Sequence, residues 1–149
     1  MAALSGLDVL RGKRVYVDAN VFIYFLDGST RWAKPAKSIL VAAQSGTIAA
    51  ITGEAAVAEV MVGPYRSGDP MLVRSAHEFF ATPRFVDVVS HSAQAWDDAA
   101  MLRGTLDIPL MDGLHLATAA QASCAAIVTN DDRMKSALAV EIIPLHAFP

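Results

Sequence analysis

Asp18 closes the segment Arg14-Val-Tyr-Val-Asp18, and the chain runs on through Ala19-Asn20 into Val21-Phe-Ile-Tyr-Phe-Leu26. A carboxylate where an apolar strand pattern meets an apolar helix pattern is costly. An unpaired ionised group removed from water loses several kcal/mol of solvation, or shifts its pKa until it neutralises. Three further acids sit in comparable settings: Glu59 within Ala55-Ala-Val-Ala-Glu-Val-Met-Val62, Asp112 within Leu110-Met-Asp-Gly-Leu114, and Asp131 after Ile127-Val-Thr-Asn130. Two carboxylates about 4 Å apart repel by about 4 kcal/mol at an effective dielectric near 20. If these four meet, a cation must meet them. Oxygen ligands without Cys or His at ligand spacing favour Mg2+ or Mn2+ over zinc. Such an ion activates water and offsets charge on a phosphate, so the chemistry expected is phosphodiester hydrolysis.

Each acid also has a plainer explanation. Asp112 could serve the positive end of its helix dipole, Asp131 could cap a last short helix, and Asp18 could simply end a strand. Glu59 discriminates best, because Glu54 already satisfies the first turn of that helix while Glu59 sits among alanines and valines. Asp132 competes with Asp131, as an additional ligand or as a solvated neighbour. Asp97, Asp98 and Asp107 read as surface or loop residues. Asn20 and Thr129 are either groups that orient the carboxylates or ordinary turn and cap residues. His115, one helical turn after Asp112, reads as a packed bystander outside the catalytic set.

The positioning elements follow from periodicity. Continuous apolar runs mark strands at roughly 14–18, 47–51, 84–89, 125–129 and 140–143. Helical patterns occupy roughly 20–27, 31–45, 53–62, 69–81, 91–104 and 111–124, with a short turn of helix near 132–138. Gly46, Gly63-Pro64, Pro83 and Pro109 supply the stops. Wholly apolar strands separated by helices imply a mostly parallel, roughly five-stranded sheet covered on both faces, an α/β/α sandwich in one domain over residues 1–149. In such a sheet the loops at the carboxyl ends of the strands form the ligand crevice. Asp18 and Asp131 end strands there, and the helices bearing Glu59 and Asp112 can bring theirs to the same edge.

The net charge of −3 gives no general attraction for polyanions, so RNA would be held by local cations or through a metal. Arg133 and Lys135 lie nearest the acids in sequence and are the first candidates for holding an RNA backbone. Arg11, Lys13 and Arg14, and the stripe Arg31, Lys34 and Lys37 beside Trp32, are either solvated faces or phosphate-tracking strips. With Cys124 as the single cysteine, no intrachain disulfide can form, and the thiol is expected to pack as a small apolar residue near a helix end. Met1–Lys13 lacks the pattern of a signal peptide and no apolar run approaches bilayer length, so a cytoplasmic protein without membrane contact is expected. A hydrophobic fraction of 54% and a mean hydropathy of +0.37 leave room for an apolar self-association surface.

At these residues the sequence resembles the PIN-domain nucleases, and within them the VapC toxins of type II toxin–antitoxin pairs. Val17-Asp18-Ala-Asn20-Val-Phe-Ile23 is similar to the opening motif, and Ala58-Glu59-Val-Met-Val-Gly63 to the second. Pro109-Leu-Met-Asp112-Gly-Leu-His-Leu-Ala-Thr-Ala119 is similar to the third, and Val128-Thr-Asn-Asp131-Asp-Arg-Met134 to the fourth. Ala19 stands where the family often has Thr, and Met134 where an aromatic is common. The resemblance implies a Mg2+ site made by Asp18, Glu59, Asp112 and Asp131, supported by Asn20 and Thr129, that cleaves RNA endonucleolytically. It further implies a homodimer and a cognate antitoxin that blocks the acidic crevice. Two alternatives remain at this point: a PIN-type nuclease of RNA processing without an antitoxin, and a receiver-like signalling domain. The latter needs an Asp after the third strand and a Lys after the fifth, whereas Asp87 lies within the third run and Ile142-Ile-Pro-Leu145 holds no Lys.

Overall fold

The computed structural model describes residues 5–82 and 85–149. Among them, five parallel strands form one sheet: β1 (Arg14–Val17), β2 (Ala49–Gly53), β3 (Asp87–Val89), β4 (Ala126–Thr129) and β5 (Glu141–Pro144), in the order β3-β2-β1-β4-β5. The helices are α1 (Gly6–Leu10), α2 (Ala19–Asp27), α3 (Ala33–Gln44), α4 (Glu54–Ser67), α5 (Pro70–Ala81), α6 (Ala93–Leu106) and α7 (Leu110–Gln121). The expected strands therefore form, all parallel, as an α/β/α sandwich.

Strand alternation divides the core in two. Val15 and Val17 of β1 face one side, where they pack with Phe22 of α2, Ile39 and Leu40 of α3, and Val60 of α4. Tyr16, between them, faces the other side and joins Leu102 of α6 and Leu116 of α7. All three are fully buried, as a central parallel strand covered by helices on both faces requires. Among the described residues no helix is long and apolar enough to cross a membrane.

The local expectations fail in three places. Gly63-Pro64 does not stop α4, which continues to Ser67 and ends where Gly68 takes the left-handed conformation at φ 71°. A proline inside a helix costs about 3 kcal/mol, yet α4 carries Pro64 while packed against α5. Residues 132–138 form turns instead of a short helix, with Leu138 and Ala139 at positive φ and a bridge between Ala137 and Val140 that returns the chain to β5. The short α1 was not expected; a capping box between Ser5 and Asp8 starts it. Pro83, expected as a stop, and Arg84, expected to begin β3, lie outside the described residues, as do residues 1–4 of the N-terminal segment.

Candidate metal centre

The strand order reverses between β1 and β4, whose neighbours lie on opposite sides, and a crevice opens beyond the carboxyl ends of such a pair. Asp18 is the first residue after β1, and its backbone N–H donates to the Val128 carbonyl of β4 at 3.0 Å. Its carboxylate is the buried one, 6% exposed, and it accepts from three donors. The Ala19 amide donates to Oδ1 at 2.8 Å, while Thr129 Oγ1 and Asn20 Nδ2 donate to Oδ2 at 2.7 and 3.3 Å. Asp18 thus caps α2 and anchors the crevice together.

Asn20 and Thr129 tie the two strand ends to each other. Asn20 Nδ2 also donates to Thr129 Oγ1, and Asn20 Oδ1 accepts from the Asn130 amide. Thr129 Oγ1 in turn accepts from the Asp131 amide at 3.0 Å, which fixes where the loop after β4 leaves the sheet.

Asp18, Glu59, Asp112 and Asp131 all line one cleft of about 360 Å3, together with Asn20, Ile23, Met111 and His115. Single ligand atoms of Asp18, Glu59 and His115 lie within 4.8 Å of one another; Asp112 and Asp131 face the same space without joining that trio. Glu59 departs from expectation. Its side chain is 45% exposed at the cleft rim, not embedded among the valines and alanines around it in sequence. Asp112, in the first turn of α7, is half-buried. Burial, and next the charges of Asp131 and Asp18, push its carboxyl above the ordinary carboxylate range. Asp131 moves the opposite way, because Arg133 grips it with Nε at 3.1 Å and Nη2 at 3.3 Å.

Asp132 is exposed and lines an adjoining depression of about 270 Å3, so Asp131 alone of the pair reaches the acidic cleft. Arg133 and Lys135 are exposed beside it. Arg31, Lys34 and Lys37 are exposed too, but none lines the cleft, and Arg31 lies over the Trp32 ring at 4.7 Å. Arg14 Nε donates to the Ala122 carbonyl at the end of α7, a structural cap, and Arg11 pairs with Asp8. Cys124 is buried just past α7, with its thiol pushed up to about 11 by that burial.

His115 is the residue that sequence reasoning set aside. It is 2% exposed, and its Nε2 meets Glu59 Oε1 at 3.0 Å. Burial opposes the imidazolium, but the hydrogen bond to Glu59 and the charges of Asp18, Glu59 and Asp112 outweigh that and raise its pKa. The one available signal was its spacing, three residues after Asp112 on a single helix.

A receiver-like arrangement is excluded by this geometry. Asp87 opens β3 at the end of the sheet opposite the crevice, and the strand order differs from the 2-1-3-4-5 of flavodoxin-like receivers.

The fold is similar to that of a chain in a toxin–antitoxin complex from Klebsiella pneumoniae, with a TM-score of 0.69 and 18% identity over 88% of this chain and 97% of that one. It is also similar to a chain of VapBC2 from Rickettsia felis bound to a promoter DNA fragment, with a TM-score of 0.68 and 16% identity over 88% and 98%. Against VapC20 from Mycobacterium tuberculosis, a Sarcin-Ricin loop cleaving toxin, the TM-score is 0.67 and the identity 13% over 80% and 92%. At these identities the likeness is one of fold. No curated protein matches the sequence. Residues 15–138, from within β1 to the turn before β5, match the PIN domain, and the chain belongs to that family.

Proposed function

We propose that the chain is a metal-dependent endoribonuclease acting as the toxin of a toxin–antitoxin pair, with residues 1–149 forming a single nuclease domain. The observation that carries this is the convergence of Asp18, Glu59, Asp112 and Asp131, from four separate stretches of chain, on one cleft at the switch point of a parallel sheet. Membership of the PIN domain family and the likeness in fold to VapBC2, VapC20 and other toxin–antitoxin proteins support the same assignment.

The donor set fits a hard divalent cation. It is dominated by carboxylate oxygen, it contains no thiolate, and the ionised form of Asp112 is disfavoured by burial and then by like charges, both of which a cation would offset. Asp18, Glu59, Asp112 and Asp131 would hold Mg2+ or Mn2+. Bound there, the ion makes water a stronger nucleophile at neutral pH and offsets charge building on a phosphate. Asp18 is the fixed point, because three donors hold it before any ligand arrives. Asn20 and Thr129 keep the Asp18 and Asp131 segments in one register. Arg133, exposed beside Asp131, can exchange that carboxylate for a phosphate of the RNA backbone, and Lys135 lies close by in sequence. The working form is a cytoplasmic homodimer, silenced by a cognate antitoxin that covers the acidic cleft.

The purified protein is expected to cleave RNA with Mg2+ or Mn2+ and to stop on adding EDTA. Asp18→Asn and Asp112→Asn should each fold, lose most cleavage, and no longer inhibit growth of a bacterial host. Two folded variants with full activity would overturn the assignment.

A further inference from the structure

Behind the acidic cleft runs a chain of buried polar groups that ends on one of its carboxylates. It starts at the Gly53 amide, a group that can only donate, which donates to Tyr16 Oη at 3.0 Å. Tyr16 is fully buried, so its own hydroxyl proton needs an acceptor inside the protein. His115 Nδ1 stands 2.7 Å away and, when the ring is neutral, is that acceptor. A neutral ring that accepts at Nδ1 carries its proton on Nε2, 3.0 Å from Glu59 Oε1. The direction of the whole chain is therefore set by a backbone N–H.

We propose that His115 is a positioning residue that orients Glu59 for cation binding, and that Tyr16 fixes the proton of His115 for that task. The proposal rests on the metal-site assignment above. Glu59 is a long side chain, half-exposed at the rim, and among the described residues His115 is its one hydrogen-bond partner. Without a partner, a glutamate there would lose rotamer freedom only on binding the ion, and affinity would fall accordingly. His115 has no such freedom: it is 2% exposed, with the Tyr16 and His91 rings 5.6 and 6.3 Å from its own.

The same cluster fixes the helix that carries Glu59. Gly53, the N-cap of α4, has no side chain to satisfy the helix's first amides. Tyr16 serves the Gly53 amide, and His91 Nε2 accepts from Ala55 at 3.0 Å while its Nδ1 donates to Thr118 Oγ1 at 2.6 Å. Tyr16 lies two residues before Asp18, and His115 and Thr118 lie on the helix of Asp112. Three ligand-bearing elements are thus locked to one another through two imidazoles and a phenol.

A ring nitrogen of His115 also lies within 4.8 Å of ligand oxygens of Asp18 and Glu59, so a role as a ligand is the competing outcome. Two measurements on the full chain decide. First, nitrogen-15 spectra of the histidine rings, taken in EDTA above the histidine titration range, should show His115 with its proton on Nε2, and Tyr16→Phe should abolish that preference. A proton on Nδ1 in the wild type overturns the proposal, whether or not the protein binds metal. Second, Mn2+ affinity is measured without RNA by the electron paramagnetic resonance of the free ion. His115→Leu should weaken binding about tenfold or more, while His115→Gln, whose amide can donate to Glu59, should stay within a few-fold of the wild type. Equal binding by His115→Leu overturns the positioning role while leaving the metal site intact. Equal loss in the Leu and Gln variants overturns it in favour of a ligating ring nitrogen. If the wild type binds no Mn2+, the metal-site assignment fails and the positioning role fails with it.

Discussion

Asp112 and Asp131 show how one cleft sets two carboxylates against each other. Asp131 is gripped by Arg133, and its pKa falls; for Asp112, burial and its acidic neighbours outweigh the charges of His115 and Arg133 and push its pKa up. The consequence for stability has a definite sign. With a folded-state pKa above its unfolded value, Asp112 destabilises the fold once it is ionised, and falling pH relieves that penalty. In EDTA, Asp112→Asn should therefore melt at a higher temperature than the wild type near neutral pH. The difference should shrink as pH drops through the raised pKa of Asp112, because both proteins are then neutral at that position. Thermal melts of the two proteins across acidic and neutral pH check this; a variant that is less stable at neutral pH contradicts it.

The elements differ in how much the sequence disclosed. Strand positions were legible because β1 and β4 are central and covered on both faces, so their apolar runs are unbroken. The end of α4 was not, since the helix runs past the Gly63-Pro64 signal and stops at the left-handed Gly68. The turns at 132–138 were hidden for a related reason. Asp131 Oδ1 does accept the Arg133 amide, the bond a helix cap makes, but the chain turns back into β5 before a helix can follow. The start of α4 offers a direct test. A Cβ on Gly53 would collide with His91 Cε1 and approach Tyr16 Oη to 2.6 Å, whereas one on Gly63, in the same helix, meets nothing within 4 Å. Gly53→Ala should cost about 1–3 kcal/mol in denaturant unfolding, and Gly63→Ala should cost clearly less, because its gain in helix propensity is set only against the crowding of a Cβ by the Pro64 ring. Equal effects at the two sites would mean that the Tyr16–His91 cluster does not hold α4.

For the molecule as a whole, Asp18 and Asp131 could be assigned to one edge because a parallel sheet presents the ends of all its strands at the same side, and Glu59 and Asp112 because the helices next to those strands return to it. What topology could not give was the ranking among them. That Asp18 is buried, that Glu59 stands exposed at the rim, and that His115 backs Glu59 depend on how α4 and α7 pack across β1 and β2. Spacing within one helix says which residues share a face, not what the face meets. The global consequence of a shared site is linkage: an ion that binds only the folded chain stabilises it by about 2.7 kcal/mol at a hundred times its dissociation constant. Mn2+ should raise the melting temperature of the wild type and EDTA should reverse the rise. Asp18→Asn should show little response to either. A wild-type melt indifferent to Mn2+ would contradict a site built from these segments.

Anomalous diffraction from crystals grown with Mn2+ tests the convergence most directly, because it locates the ion without reference to activity. A peak inside the cleft, in contact with carboxylate oxygens of Asp18 and of at least one of Glu59, Asp112 and Asp131, is the expected result. Strong manganese density elsewhere, with none between those side chains, would contradict it.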